Sequence, residues 1–146
     1  MSEVDFKDVD FHVVDEDYRR YNLKDGTLLK AKVVVKKILA HPAKTPQGYP
    51  LSIALDAVNA ISATPRDSEL RDPSKEPLDP QKDEAEEIEF EEIGDTPVQR
   101  YMTTEGYTVT VKPIVTKVLK FKKWNIYGEP VYQAIIQSIT NLEKNK

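Results

Sequence analysis

The stretch RYNLKDGTLLKAKVVVKKIL (Arg20–Leu39) returns eighty positions later as RYMTTEGYTVTVKPIVTKVL (Arg100–Leu119). At that offset Arg20, Tyr21, Gly26, Lys32, Val35, Lys37 and Leu39 coincide with Arg100, Tyr101, Gly106, Lys112, Val115, Lys117 and Leu119. Gly48 and Pro50 coincide with Gly128 and Pro130. Upstream, VDFHVV (Val9–Val14) parallels IEFEEI (Ile88–Ile93) at an offset of 79. Identities this dense, with the glycines in register, predict an internal duplication with units at 9–62 and 88–142.

Each unit reads as β structure. A short alternating segment comes first, with Val9, Phe11 and Val13 on one face, matched by the alternation of Glu87, Ile88, Glu89, Phe90 and Glu91. A strand then ends at Asp25-Gly26 or Glu105-Gly106, a hairpin signal that predicts a type I′ turn. A long strand rich in Val, Ile and Thr follows, over 27–40 and 107–120. Strict alternation puts Leu29, Ala31, Val33, Val35, Lys37 and Leu39 on its apolar face, matched by Val109, Val111, Pro113, Val115, Lys117 and Leu119. A lysine on an apolar face is costly, so either the strand bends at Lys37 and Lys117 or an acid such as Asp15, Glu16, Glu92 or Asp95 meets each one. Pro113 cannot donate to a ladder, which places it at an edge or a bulge.

The fourth element, LSIALDAVNAI (Leu51–Ile61) and VYQAIIQSITNL (Val131–Leu142), is read as a strand from its Val and Ile content, with a bulge that pairs Asp56 with Gln137. The alternative is an α+β fold with both segments as helices, because Leu51, Leu55, Val58 and Ile61 fit helical spacing. Between the units, 63–86 holds Pro65, Pro73, Pro77 and Pro80 among charged residues and reads as an extended or mobile acidic linker. The expected fold is mainly β: a single domain, internally duplicated, forming a pseudo-two-fold barrel or sandwich of about eight strands.

Composition narrows the function. The 146 residues suffice for one core, and 39% hydrophobic with 32% charged residues is a globular balance. No cysteine is present, which removes disulfides and thiolate chemistry and fits a reducing cytoplasm. The acidic N-terminal stretch MSEVDFKDVDF is not expected to act as a secretory signal. Pro130–Leu142, the longest uncharged run, is too short for a membrane-spanning helix, so no membrane role is expected. The net charge of −4 conceals basic repeats, +5 each, set against an acidic 1–19 (−5) and an acidic 66–95 (−9).

Standard chemical motifs are missing. The five glycines fall at turn positions and form no phosphate-cradling loop. His12 and His41 have no metal-ligand spacing and read as solvated, so neither a metal nor a cofactor is expected. Ser52, Ser62 and Ser138 lack a nucleophile elbow, and Glu87, Glu89 and Glu91 read as a solvated strand face.

The candidate binding surface is LKFKKWNIY (Leu119–Tyr127), in which Lys120, Lys122 and Lys123 alternate with Phe121, Trp124 and Tyr127. Lys30, Lys32, Lys36 and Lys112 add a basic outer face to the long strands. The leading expectation is a non-catalytic binding or assembly module for a protein partner or a second copy. The alternative is a single-stranded nucleic-acid-binding domain damped by its acidic linker, because lysines neutralise phosphates and aromatic rings stack on bases. An enzyme with a cleft between the repeats comes third.

Overall fold

The computed structural model describes residues 5–145. Ten strands account for nearly all regular structure: β1 (Lys7–Val9), β2 (Phe11–Asp15), β3 (Arg19–Leu23), β4 (Leu28–Ala40), β5 (Ile53–Thr64), β6 (Ala85–Glu87), β7 (Phe90–Ile93), β8 (Gln99–Thr103), β9 (Tyr107–Trp124) and β10 (Pro130–Lys144). The sole helical turn among the described residues is a 3-10 turn at Asp67–Glu69. The helical alternative for the fourth element is therefore overturned. β5 pairs with β4 along its whole length, and β10 pairs likewise with β9.

Two five-stranded antiparallel sheets pack face to face. In the first, β4 is central, with β5 on one flank, β3 and β1 in succession on the other, and β7 outside β3. In the second, β9 is central, with β10 on one flank, β8 and β6 on the other, and β2 outside β8. The sandwich is open rather than a closed barrel, since β5 and β10 each pair on one flank alone.

The count of ten instead of eight has a simple cause. Each short leading segment crosses between the sheets, so β1 stays on β4 while β2 joins β8, and β6 stays on β9 while β7 joins β3. The crossings are held alike: Thr104 N–H donates to Asp10 O, and Lys24 N–H to Glu89 O, each at 2.9 Å. Val9 and Ile88 turn inward beside them, while Val13, on the outermost strand, is exposed and adds nothing to the core.

The core forms two clusters, each drawing on both sheets. The far half of β4 (Val33, Val35, Ile38, Ala40) meets the near half of β9 (Val109, Val111) around Tyr101 and Tyr107. The near half of β4 (Leu29, Ala31) meets the far half of β9 (Val115, Val118) around Tyr21, Leu23, Ile88 and Tyr132. The inner faces of β5 and β10 close these clusters with Ile53, Leu55, Ala57 and Ile136.

Three local expectations need correction. First, the hairpin at Gly26 is not type I′. Leu23 O accepts from Gly26 N–H, Thr27 O accepts from Leu23 N–H, and glycine alone has positive φ, at 88°. This is a type I turn closed by a left-handed glycine, the three-residue hairpin loop. Second, alternation does not run unbroken through Lys37 and Lys117. A bulge between Val35 and Lys37 shifts the phase, burying Ile38 and Ala40 in place of Lys37 and Leu39. β9 does the same opposite Ile135 and Ile136, burying Val118 and turning Lys120 inward in place of Lys117 and Leu119. Lys37 and Lys117 are both exposed, which avoids the several kcal/mol (order of magnitude) that an unpaired buried ammonium would cost. Third, the two fourth elements correspond at an offset of 79: Asp56 faces Lys37 and Ile135 faces Lys117. The connection from β4 to β5 is one residue longer than its counterpart, so Asp56 does not correspond to Gln137.

Pro113 is buried and paired with Ser138 of β10. On its other flank β8 stops at Val111 and β6 begins at Leu119, so no strand partner lacks a donor there. The corresponding gap beside β4 is filled differently. Gln99 inserts its amide, its Oε1 accepting from Val33 N–H at 2.9 Å and its Nε2 donating to Val33 O. Tyr101 OH extends the chain to Glu16 at 3.0 Å.

A linker-covered basic hairpin and an uncharged edge

The far end of β9 and its turn into β10 carry LKFKKWNIY, and the linker lies across them. It is neither an extended nor an independent connector: 63–64 belong to β5, 85–86 to β6, and the stretch between packs on the hairpin. Arg71 N–H donates to Gly128 O and Ser74 N–H to Trp124 O, each at 3.0 Å. Ser74 Oγ accepts from Trp124 N–H at 2.9 Å, and Trp124 Nε1 donates to Glu69 O at 3.1 Å. Pro73, Leu78, Ile126 and Val131 line an open groove beside the indole.

The acids of the linker meet the lysines one by one. Lys122 pairs with Glu84 at 3.2 Å and Lys123 with Asp83 at 3.8 Å. The Lys122 pair is solvent-exposed and contributes little. Lys120 is different, being enclosed between Asp25 at 2.9 Å and Glu69 at 3.1 Å. Asp25 also accepts from Tyr132 OH at 2.6 Å and, through Oδ1, from Thr27 N–H at 2.9 Å. Burial opposes ionisation of Asp25, but the hydrogen bonds from Tyr132, Lys120 and Thr27 outweigh it and hold the carboxyl down at about 2. Burial and the bond to Asp25 push Tyr132 up to about 12. Burial works against the Lys120 ammonium, yet its bonds to Asp25 and Glu69 raise it above the ordinary lysine value.

This arrangement sorts the residues expected to bind. Phe121 is 3% exposed and belongs to the interior, so its ring is not presented for stacking. Trp124 is half-buried under the linker, and Tyr127, with Ile126, stands exposed at the hairpin tip. Lys30, Lys32 and Lys36 lie on the outer face of the first sheet. There Lys32 sits 4.5 Å over the Tyr18 ring and 3.9 Å from Glu16, and Lys36 lies 3.5 Å from Asp56. Lys112 lies on the outer face of the second sheet, so the strand lysines do not form one continuous strip. Among the described residues, no group of three or more His, Asp or Glu side chains is placed to hold a metal ion, and no helix is long and apolar enough to cross a membrane.

A feature not anticipated from the sequence is the second flank of β10. No strand covers it among the described residues, and 131–142 carry no charged side chain. Its outer face presents Ile135 and Ile139, 40% and 49% exposed, between Gln133, Gln137 and Asn141. The uncharged run that bore on the membrane question was the available signal.

The chain is thus an open, strand-exchanged β sandwich with a linker-capped basic hairpin and one uncharged edge. No protein-family model, no curated protein and no solved structure matches it.

Proposed function

We propose that this chain is a non-catalytic binding or assembly module that takes a protein partner along β10. The observation that carries this is the long second flank of β10, unpaired and without charge. Exposed sheet edges are ordinarily blunted by lysines, prolines or short length, because their unpaired N–H and C=O groups template another strand. An edge left long and neutral suits main-chain addition of an extended segment, with Ile135 and Ile139 as side-chain contacts on the adjoining face. We further read the two halves as a duplicated scaffold in which the copy ending in β10 is specialised for contact.

The test is a photo-crosslinking residue placed at Gln137, with Ser62 on β5 as the comparison site. A discrete protein adduct is expected at Gln137 and should vanish when Ile135→Lys and Ile139→Lys are added. No adduct, or one indifferent to both lysines, sinks the reading.

A second reading, single-stranded nucleic-acid binding damped by the linker, draws on the pairing of Glu69, Glu84 and Asp83 with Lys120, Lys122 and Lys123. Deleting the whole linker would cut into β5 and β6, so substitution is the better test. Glu69→Gln, Asp83→Asn and Glu84→Gln together should raise affinity for single-stranded DNA, with a log–log salt slope of about −1.4 for the two lysines released, Lys122 and Lys123, since Asp25 still holds Lys120. Unchanged weak binding disposes of this alternative.

A further inference from the structure

Side-chain and terminal hydrogen bonds fix which backbone groups of β10 face its free flank. Ile135 O accepts from Thr116 Oγ1 at 3.2 Å and Asn145 N–H donates to Gly106 O at 2.9 Å, so the odd-numbered residues aim their backbone groups toward β9 and its hairpin. Neighbouring residues of an extended strand aim to opposite sides, which turns the even-numbered ones, from Tyr132 to Leu142, toward the free flank. Lys144 N–H, on that same flank, donates to Tyr49 Oη at 2.7 Å. The ladder left open therefore runs over 132–142, and no backbone bond from β5 reaches it among the described residues.

The outer face of β10 carries Gln133, Ile135, Gln137, Ile139 and Asn141, all exposed. Ser138 and Thr140, in the opposite phase, are exposed as well, so the far half of the strand is uncovered on both faces. Where β10 has Ile135, β5 has Asp56, which lies 3.5 Å from Lys36. β10 alone of these two edges is free of charge over its open ladder.

The order of these side chains is its own complement about a two-fold axis. Gln137 is the midpoint of β10 (Pro130–Lys144), so two antiparallel copies overlap over their whole length only with Gln137 on the axis. In that register Ile135 lies opposite the second copy's Ile139, Gln133 opposite its Asn141, and Gln137 opposite itself. An amide both donates and accepts, so Gln137 can bond its own twin, which a charged side chain at that position could not do. These odd-numbered residues occupy the non-hydrogen-bonded positions of the new ladder, where opposite side chains approach most closely. A slip of two residues in either direction sets each isoleucine against an amide, and like then no longer meets like.

We propose that the partner of β10 is a second copy of this chain, paired antiparallel through β10 about a two-fold axis at Gln137. The second sheets of the two copies then join into one continuous sheet. A self-complementary contact of this kind closes at the dimer and leaves neither β10 edge open for further growth. The proposal rests on the reading of β10 as a partner edge and adds the identity of the partner.

Sedimentation equilibrium of the full chain over a concentration series tests it. The wild type should pass from monomer to dimer, and Gln137→Lys, which sets two ammonium groups against one another at the axis, should weaken the dimer at least tenfold. Gln133→Lys with Asn141→Lys should weaken it likewise. Gln133→Lys with Asn141→Glu should preserve it, because position 133 meets position 141 of the other copy. The chain has no cysteine, so Gln137→Cys should oxidise to a covalent dimer, its two Cα atoms being about 4.5 Å apart and within disulfide reach. Gln133→Cys, whose two copies lie far from one another, should stay uncrosslinked. A chain monomeric throughout, a dimer indifferent to Gln137→Lys, equal weakening by the two double variants, or equal crosslinking of the two cysteine variants would each overturn the proposal. If the chain stays monomeric while a crosslinker at Gln137 captures a different protein, the second copy is ruled out and the β10 reading stands. No adduct of any kind there overturns both.

Discussion

Gln99 offers the sharpest test of how the sandwich is held. Beside β4, β3 pairing ends at Ala31 and β1 pairing begins at Ile38, which leaves the backbone of Val33 with no strand on that flank. Gln99, fully buried, takes the place of the missing strand by bonding both Val33 N–H and Val33 O, and also donates to Tyr101 OH. Gln99→Leu keeps the side-chain volume and removes all three bonds. An unsatisfied buried backbone group costs roughly 1–3 kcal/mol, so two of them cost about 4. The added apolar surface returns about 1 kcal/mol, which leaves a loss of about 3.

Urea unfolding, read by circular dichroism and Trp124 fluorescence, should show a lower midpoint with unchanged slope. A loss below about 1 kcal/mol would refute the bridging role. Val33→Pro supplies the second arm of a double-mutant cycle. Proline removes the amide that Gln99 serves, so its cost should be smaller by about 1 kcal/mol in the Gln99→Leu background. Equal cost in both backgrounds would mean that the Val33 amide is satisfied elsewhere.

Other consequences follow from the corners and the bulge. The Asp25 carboxyl, at about 2 in the folded chain, contributes fully above its unfolded value near 4 and loses that contribution as pH falls through 2. Wild-type stability should therefore drop by about 2 kcal/mol more than that of Asp25→Asn between pH 4 and pH 2, and parallel acid unfolding curves would contradict this. Gly128 has φ of 77°, and a Cβ there would lie 2.5 Å from Arg71 O. Gly128→Ala should lift the linker from the hairpin and speed proteolysis within 70–80, a prediction lost if cleavage stays at the wild-type rate. Lys37→Ala should change stability by less than about 0.5 kcal/mol while Ile38→Ala costs about 3, and the reverse order would restore the unbroken alternation.

The long strands were legible because β4 and β9 satisfy period-two alternation over their first nine residues and because their hairpin glycines recur in register. The bulges were half legible. Strict alternation forces Lys37 and Lys117 inward in both long strands, and that improbable demand is itself the sign of a phase shift. Its resolution depends on β5 and β10 pairing across the bulge, which local pattern does not encode. The sheet crossings at Asp10 and at Ile88-Glu89 left no local mark, since one or two residues of extended chain look the same whether they continue a strand or leave it. Charge asymmetry announced that the linker and the basic hairpin suit one another. It could not say that Glu84 meets Lys122 and Asp83 meets Lys123, because those pairs form between segments without periodicity. A cavity beside Tyr107 was invisible for a related reason: the contrast of Ala40 with Lys120 can be read in the sequence, but the walls meet only once β1 and the β8–β9 hairpin are brought together.

The departures between the halves are coordinated rather than scattered. Val33 has an amide and Gln99 serves it; at the corresponding positions Pro113 has none, and Arg19 turns its guanidinium to Pro97 O at 2.9 Å and to Glu92 at 3.5 Å. Lys120 and Tyr132 fill one corner around Asp25; Ala40 and Ile53 leave the other corner open beside Glu105. β5 carries Asp56 at its bulge, where β10 carries Ile135. In the first pair both halves complete their contacts internally, whereas in the third Asp56 meets Lys36 at 3.5 Å and Ile135 is left exposed. The uncharged second flank of β10 has no strand on it among the described residues. The proposed partner contact falls there, while the paired lysines of the basic hairpin hold the linker.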